Sequence, residues 1–219
     1  ITGPFTFAAS LKDEKGVALL HDPVFMQVII KALTMKALWQ LKRFEGVPGA
    51  RIIFMDEPYL GCFGSAYTPL SKEDVISGLG EIAAPLQAAG ALVGVHCCGN
   101  TDWSIFTEIP GINVINFDAF DFLDKFVLYA DSLKSYLLRG GMICWGIVPT
   151  HDAVKELTPL ALVEKLKKGI ELLETKGVNA DIARKNLLIS PACGLGTLDP
   201  VKVGPIFKLL SGVSAIIRG

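Results

Sequence analysis

The chain has 219 residues, 51% of them hydrophobic and 20% charged, which is enough apolar material for a sizeable core and far from a disordered composition. A formal net charge of -1 and a pI near 6.4 leave no basic face, so nucleic acid is excluded as an expected partner. No continuous apolar run reaches the ~18 residues that span a bilayer, so the mean hydropathy of +0.45 reads as buried parallel strands and no membrane partner is expected.

The chain opens at Ile1, with no initiator Met and no signal-like start, and an N-terminal portion is expected to precede it. Along the chain, short β-rich apolar runs alternate with longer helical patterns. The first apolar run, Thr2–Ala8, is taken as a strand. A helix is expected over Asp22–Phe44, with Pro23 suited to its first turn. The next strand is Ala50–Met55. Ser71 then opens a helix whose first turn carries Glu73 and Asp74, favourable to the helix dipole. Further strands are expected at Ala91–Val95, Asn113–Phe117, Met142–Ile147 and Asn186–Ile189. The clearest remaining helix is Pro159–Thr175, ending before Gly177.

Six strand–helix units in strict alternation predict an α/β fold with a parallel sheet. An open doubly wound sheet and a closed barrel both fit that alternation. Chemistry-bearing residues follow strand after strand: Asp56-Glu57, His96-Cys97-Cys98, Asp118 and Cys193. In a (β/α)8 barrel such loops converge on one face, so a single barrel domain over residues 1–219 is expected, with its first one or two units upstream of Ile1.

The five cysteines are Cys62, Cys97, Cys98, Cys144 and Cys193. Their odd number, in a chain large enough to need no staples, points to a reducing compartment, and a cytoplasmic location is expected. His96-Cys97-Cys98-Gly99-Asn100 is the sharpest motif. On an extended segment residues two apart face the same way, so His96 and Cys98 can address one ion while Cys97 faces the wall and Gly99 leaves the turn free of a side chain. Imidazole and thiolate are zinc ligands, although a buried His beside core Cys is common. Cys193, in the turn-rich Ser190–Gly196 segment, would complete three soft ligands with one position open, the pattern of a catalytic rather than a structural zinc.

Asp56 and Glu57 end an otherwise apolar strand. They suit a substrate amine or an Arg, or else a helix cap or salt bridge. Asp118 could be a further ligand, while Asp121 and Asp124 suit a helix start. Trp145 either lines a pocket or fills core. His21 and His151 are expected on loops without chemistry, and Cys62 and Cys144 as small apolar packing.

Thr2-Gly3-Pro4, Asp56-Glu57-Pro58, His96-x-Cys98 and Pro191-Ala192-Cys193-Gly194-Leu195 stand in the same order and at similar spacing as in the catalytic domain of cobalamin-independent methionine synthase. That family belongs to the uroporphyrinogen decarboxylase-like barrels. Cys98-Gly99-Asn100 also resembles the corrinoid-linked methyltransferases of methanogens that methylate coenzyme M. The resemblance spans nearly the whole chain. It implies a zinc-dependent methyltransferase acting on a small thiol, with His96, Cys98 and Cys193 as zinc ligands. It further implies Asp56 as the anchor for the amino group of homocysteine, with methionine as product. Asp118 falls near the family's zinc-associated glutamate and is one methylene shorter. The implied methyl donor is methyltetrahydrofolate or a methylcobamide, the latter carried by a corrinoid protein partner.

Two other readings stand beside this one. The first is a metal-free decarboxylase of the uroporphyrinogen type, which would need arginines for an acidic tetrapyrrole. Here Arg43, Arg51, Arg139, Arg184 and Arg218 all lie away from the strand-end motifs. The second is not catalytic: a barrel whose zinc is structural, or a corrinoid- or metal-binding module.

Overall fold

The computed structural model describes residues 1–65, 68 and 70–219. Among them five strands form one sheet in chain order: β1 (Ile52–Asp56), β2 (Leu92–Cys97), β3 (Val114–Phe117), β4 (Met142–Val148) and β5 (Leu187–Pro191). β1 pairs with β2, and β4 with β5, in parallel. Strand order follows chain order throughout, so these strands form no reversal of the kind that marks a doubly wound sheet. The chain divides into two compact units, Ile1–Ile115 and Asn116–Gly219, and the boundary falls within β3.

The first unit corrects the expected first strand. Only Thr2 of Thr2–Ala8 makes a strand-like bridge, parallel to β1 at Asp56, and α1 spans Pro4–Ser10. Part of the reason is local. Pro4 sits at the first helical turn, where its fixed φ suits a helix and its missing N–H costs nothing. Phe5 and Ala8, three apart, then share a buried face. The six expected strands therefore become five among the described residues, preceded by one bridge.

α2 (Pro23–Arg43) begins where expected, with the Asp22 carboxylate accepting from the backbone N–H groups of Val24 and Phe25. Ile29, Ile30, Leu33, Ala37 and Leu41 form its buried face. α3 (Lys72–Ala88) starts with a full capping box, in which Ser71 Oγ accepts from Asp74 N and the Asp74 carboxylate accepts from Ser71 N. α4 (Trp103–Glu108) follows β2. Alternation along β1 and β2 buries Ile53, Met55, Val93, Val95 and Cys97. In the other row Gly94 stands opposite Phe54, and a Cβ on Gly94 would overlap the Phe54 ring.

The second unit contains α5 (Leu123–Phe126), α6 (Ala130–Leu138), α7 (Pro159–Thr175), α8 (Ala180–Lys185) and α9 (Pro200–Arg218). Thr158 caps α7 by accepting from Ala161 N, and Asp199 caps α9 by accepting from Val201 N. The core gathers around Trp145, which is 1% exposed, makes an edge-on contact with Phe117 and packs on Gly169 of α7. α2 and α9 are each long and apolar enough to cross a membrane by length and mean composition, although neither is an uninterrupted apolar run. Core helices of soluble proteins pass the same test.

Ser71→Ala removes one half of the α3 capping box and is expected to lower unfolding stability by about 1 kcal/mol. The check is urea denaturation followed by circular dichroism, with metal binding unchanged.

Candidate metal centre

β2 delivers His96 to the end of the sheet. Its register partner is Asp56, which is itself bridged to Thr2 on the other side. Residues paired in register project to the same face of a sheet, so the Asp56 carboxylate, which is exposed, lies on the same face as the His96 ring. The backbone closes the arrangement: Glu57 N donates to His96 O at 2.8 Å.

His96 is only 7% exposed, and both its ring nitrogens are buried without a hydrogen-bond partner. A buried polar atom left unpaired costs about 1–3 kcal/mol, so a ring with two such atoms calls for a ligand. The ligand atoms of His96, Cys98 and Cys193 all lie within 4.8 Å of one another. Cys98 and Cys193 are half-exposed. One imidazole and two thiols can hold a metal ion, and the softness of that donor set suits zinc.

Cys97, between His96 and Cys98 in sequence, is fully buried, with its thiol reaching Gly99 O at 3.9 Å. Burial pushes its pKa up to about 12, so it stays a thiol. Gly99 does not need a left-handed backbone. What its missing side chain permits is contact: a Cβ there would lie 3.2 Å from Gly61 Cα, in the 3-10 turn Pro58–Cys62. Cys193 follows β5 in the loop before α9. Ala192 N donates to Val148 O at 2.8 Å and fixes the start of that loop.

The other expected site residues fall in different places. The Glu57 carboxylate, fully buried, accepts from Phe5 N at 3.0 Å, from Thr6 N at 2.8 Å and from Thr6 Oγ1 at 2.6 Å. It therefore satisfies the first free N–H groups of α1, the helix-cap reading of that motif. Burial raises its pKa to about 7 against those donors. Asp118 is buried, and its Oδ1 accepts from Phe120 N and Asp121 N, both at 2.9 Å. It does not belong to the ligand group found among the described residues. Burial holds its carboxyl above the usual carboxylate range. Trp145 packs in the core rather than lining a pocket. His151 is exposed and meets Asp121 at 3.2 Å.

Three supporting residues were not anticipated. Thr6 joins α1 to the β1 end through Glu57 and also accepts from Tyr59 N. Gly61 meets Gly99. Asn116 Nδ2 donates to Cys144 O at 2.8 Å and to Ser190 Oγ at 2.9 Å. Asn116 carried a signal, being a lone amide in an apolar strand. The partners of Thr6 and Gly61 lie more than thirty residues away, where no local pattern points.

Because the folded-state pKa of Glu57 lies above its unfolded value, the folded protein holds that proton more tightly. Its contribution to stability is full below about pH 4.5 and is lost as pH rises to about 7. Glu57→Gln removes the titration, so the stability gap between the natural chain and this variant is expected to shift against the natural chain across that window, in denaturation at several pH values. Gly99→Ala presses on Gly61 and is expected to weaken metal binding by about tenfold, read by competition with a chromogenic chelator.

No protein-family model matches this sequence, and no curated protein matches it. The functional reading therefore rests on the geometry and donor chemistry of the chain itself.

Proposed function

We propose that the protein is a zinc-dependent methyltransferase that moves a methyl group onto the sulfur of a small thiol. The observation that carries this reading is the buried, unpartnered imidazole of His96 grouped with the thiols of Cys98 and Cys193. Three soft protein ligands leave one position of a tetrahedral ion for a substrate.

His96, Cys98 and Cys193 would hold the ion. Bound zinc would supply a Lewis acid that keeps a thiol ionised at neutral pH. The two thiolate ligands offset the charge of the ion, which suits a sulfur acceptor better than activation of water. Asp56, exposed on the face that carries His96, would pair with the ammonium of an amino-acid thiol such as homocysteine and orient it. Asp118, the other carboxyl considered for this chemistry, has one oxygen already held by the backbone. In the overall transfer the donor–methyl bond breaks, the S–CH3 bond forms and the thiol proton leaves.

The unreversed strand order supports a barrel of eight strand–helix units as the framework. The donor in this reading is a methylcobamide, presented by a corrinoid protein, or methyltetrahydrofolate, and the setting is the cytoplasm.

About one zinc per chain is expected in the reduced protein, lost in His96→Ala. Methyl transfer from methylcobalamin or methyltetrahydrofolate to homocysteine is expected to disappear in Cys98→Ser. X-ray absorption at the zinc edge is expected to gain a sulfur neighbour when homocysteine is added. Retention of both zinc and methyl transfer by Cys98→Ser would sink the reading.

A further inference from the structure

The grouping of Cys98 and Cys193 has a second chemical consequence. Their sulfurs lie no more than 4.8 Å apart. A disulfide therefore needs them to close by at most about 3 Å, within reach of a change of χ1 rotamer and a small loop shift. Both thiols are half-exposed. The space beside the Cys193 loop is open, since a Cβ added at Gly194 or Gly196 would meet nothing within 4 Å. The remaining cysteines differ. Cys97 and Cys144 are buried, whereas Cys62 is exposed on the 3-10 turn that touches Gly99.

We propose that Cys98 and Cys193 form an oxidisable dithiol, which a small-molecule disulfide converts to an intramolecular Cys98–Cys193 disulfide in the metal-free protein and which bound metal protects. The protection rests on the metal reading above, whereas the ring closure rests on proximity alone.

The chemistry balances in two exchanges. One protein thiolate attacks the disulfide of the oxidant, whose S–S bond breaks, giving a mixed disulfide and one released thiol. The second protein thiolate attacks the mixed disulfide, forms the internal bond and releases the second thiol. The two protein protons end on the released thiols, and two electrons pass from the cysteines to the oxidant. Cys97 and Cys144 are buried, out of reach of a small-molecule disulfide, so neither competes. The closed form lacks the two sulfur ligands and cannot hold the ion through them. The site is thereby switched off until a reductant reopens it.

The test treats the chelator-stripped full chain with oxidised glutathione, then alkylates it in denaturant and maps the peptides. Two of the five thiols are expected to be lost, with a cross-linked Cys98–Cys193 peptide that dithiothreitol removes. Cys62→Ser should give the same peptide, and Cys98→Ser and Cys193→Ser should not. With free zinc at a hundred times its Kd, about one molecule in a hundred is metal-free, so closure should slow about a hundredfold. Glutathione left as a stable mixed disulfide on either cysteine, a Cys62–Cys98 peptide in place of the expected one, or closure as fast with zinc as without it overturns the proposal. A reduced protein that binds no zinc but still closes the disulfide fails the function proposed above and the protection, and leaves the dithiol standing.

Discussion

In the first unit, the buried carboxylate of Glu57 ties the end of β1 to its neighbours on both sides. Its side chain accepts from the start of α1, and its backbone N–H donates to the carbonyl of His96. Gly3 must be a glycine for this to happen, because a Cβ there would overlap the Glu57 side chain. The position of His96 is thus held through its backbone, by register with Asp56 and by Glu57, while its ring stays free of any protein hydrogen bond. A carboxylate that looks like a substrate anchor is instead the clamp that sets the height of the imidazole.

That ring is where packing and chemistry part. Its neighbours at the end of β2 are settled by packing: Cys97 turns into the core and Gly99 rests on Gly61. An unpaired nitrogen in a buried ring is costly unless a ligand engages it, and two thiols stand close enough to share that ligand. The same closeness makes the pair sensitive to oxidation. Metal binding and disulfide formation are alternative ways of satisfying one arrangement of sulfur.

Much of the architecture was legible in the chain. β1, β2, β3, β4 and β5 each overlap an apolar run bounded by polar or turn residues, and Pro159–Thr175 is a helix with the expected bounds. Strand runs of this kind are visible because residues of a parallel sheet are buried on both faces and so read as continuous apolar stretches. The failure at Thr2–Ala8 has the converse cause. An apolar run of seven residues fits either periodicity, and the cap that decided for helix comes from Glu57, some fifty residues on.

The sequence by itself singled out the side chains that could hold a metal ion and set them at strand ends, because strand periodicity separates His96 and Cys98 from Cys97 and turn residues set Cys193 beyond β5. It also held the alternatives for Glu57 and Trp145 without choosing between them. Tertiary structure alone chose: Glu57 caps α1 and Trp145 fills the core against Gly169. Tertiary structure alone also brought Cys193 within reach of His96 and Cys98. The physical reason is range. Propensity, capping and alternation act over a few residues, whereas hydrogen-bond satisfaction and burial are decided by whichever distant groups the folded chain places alongside.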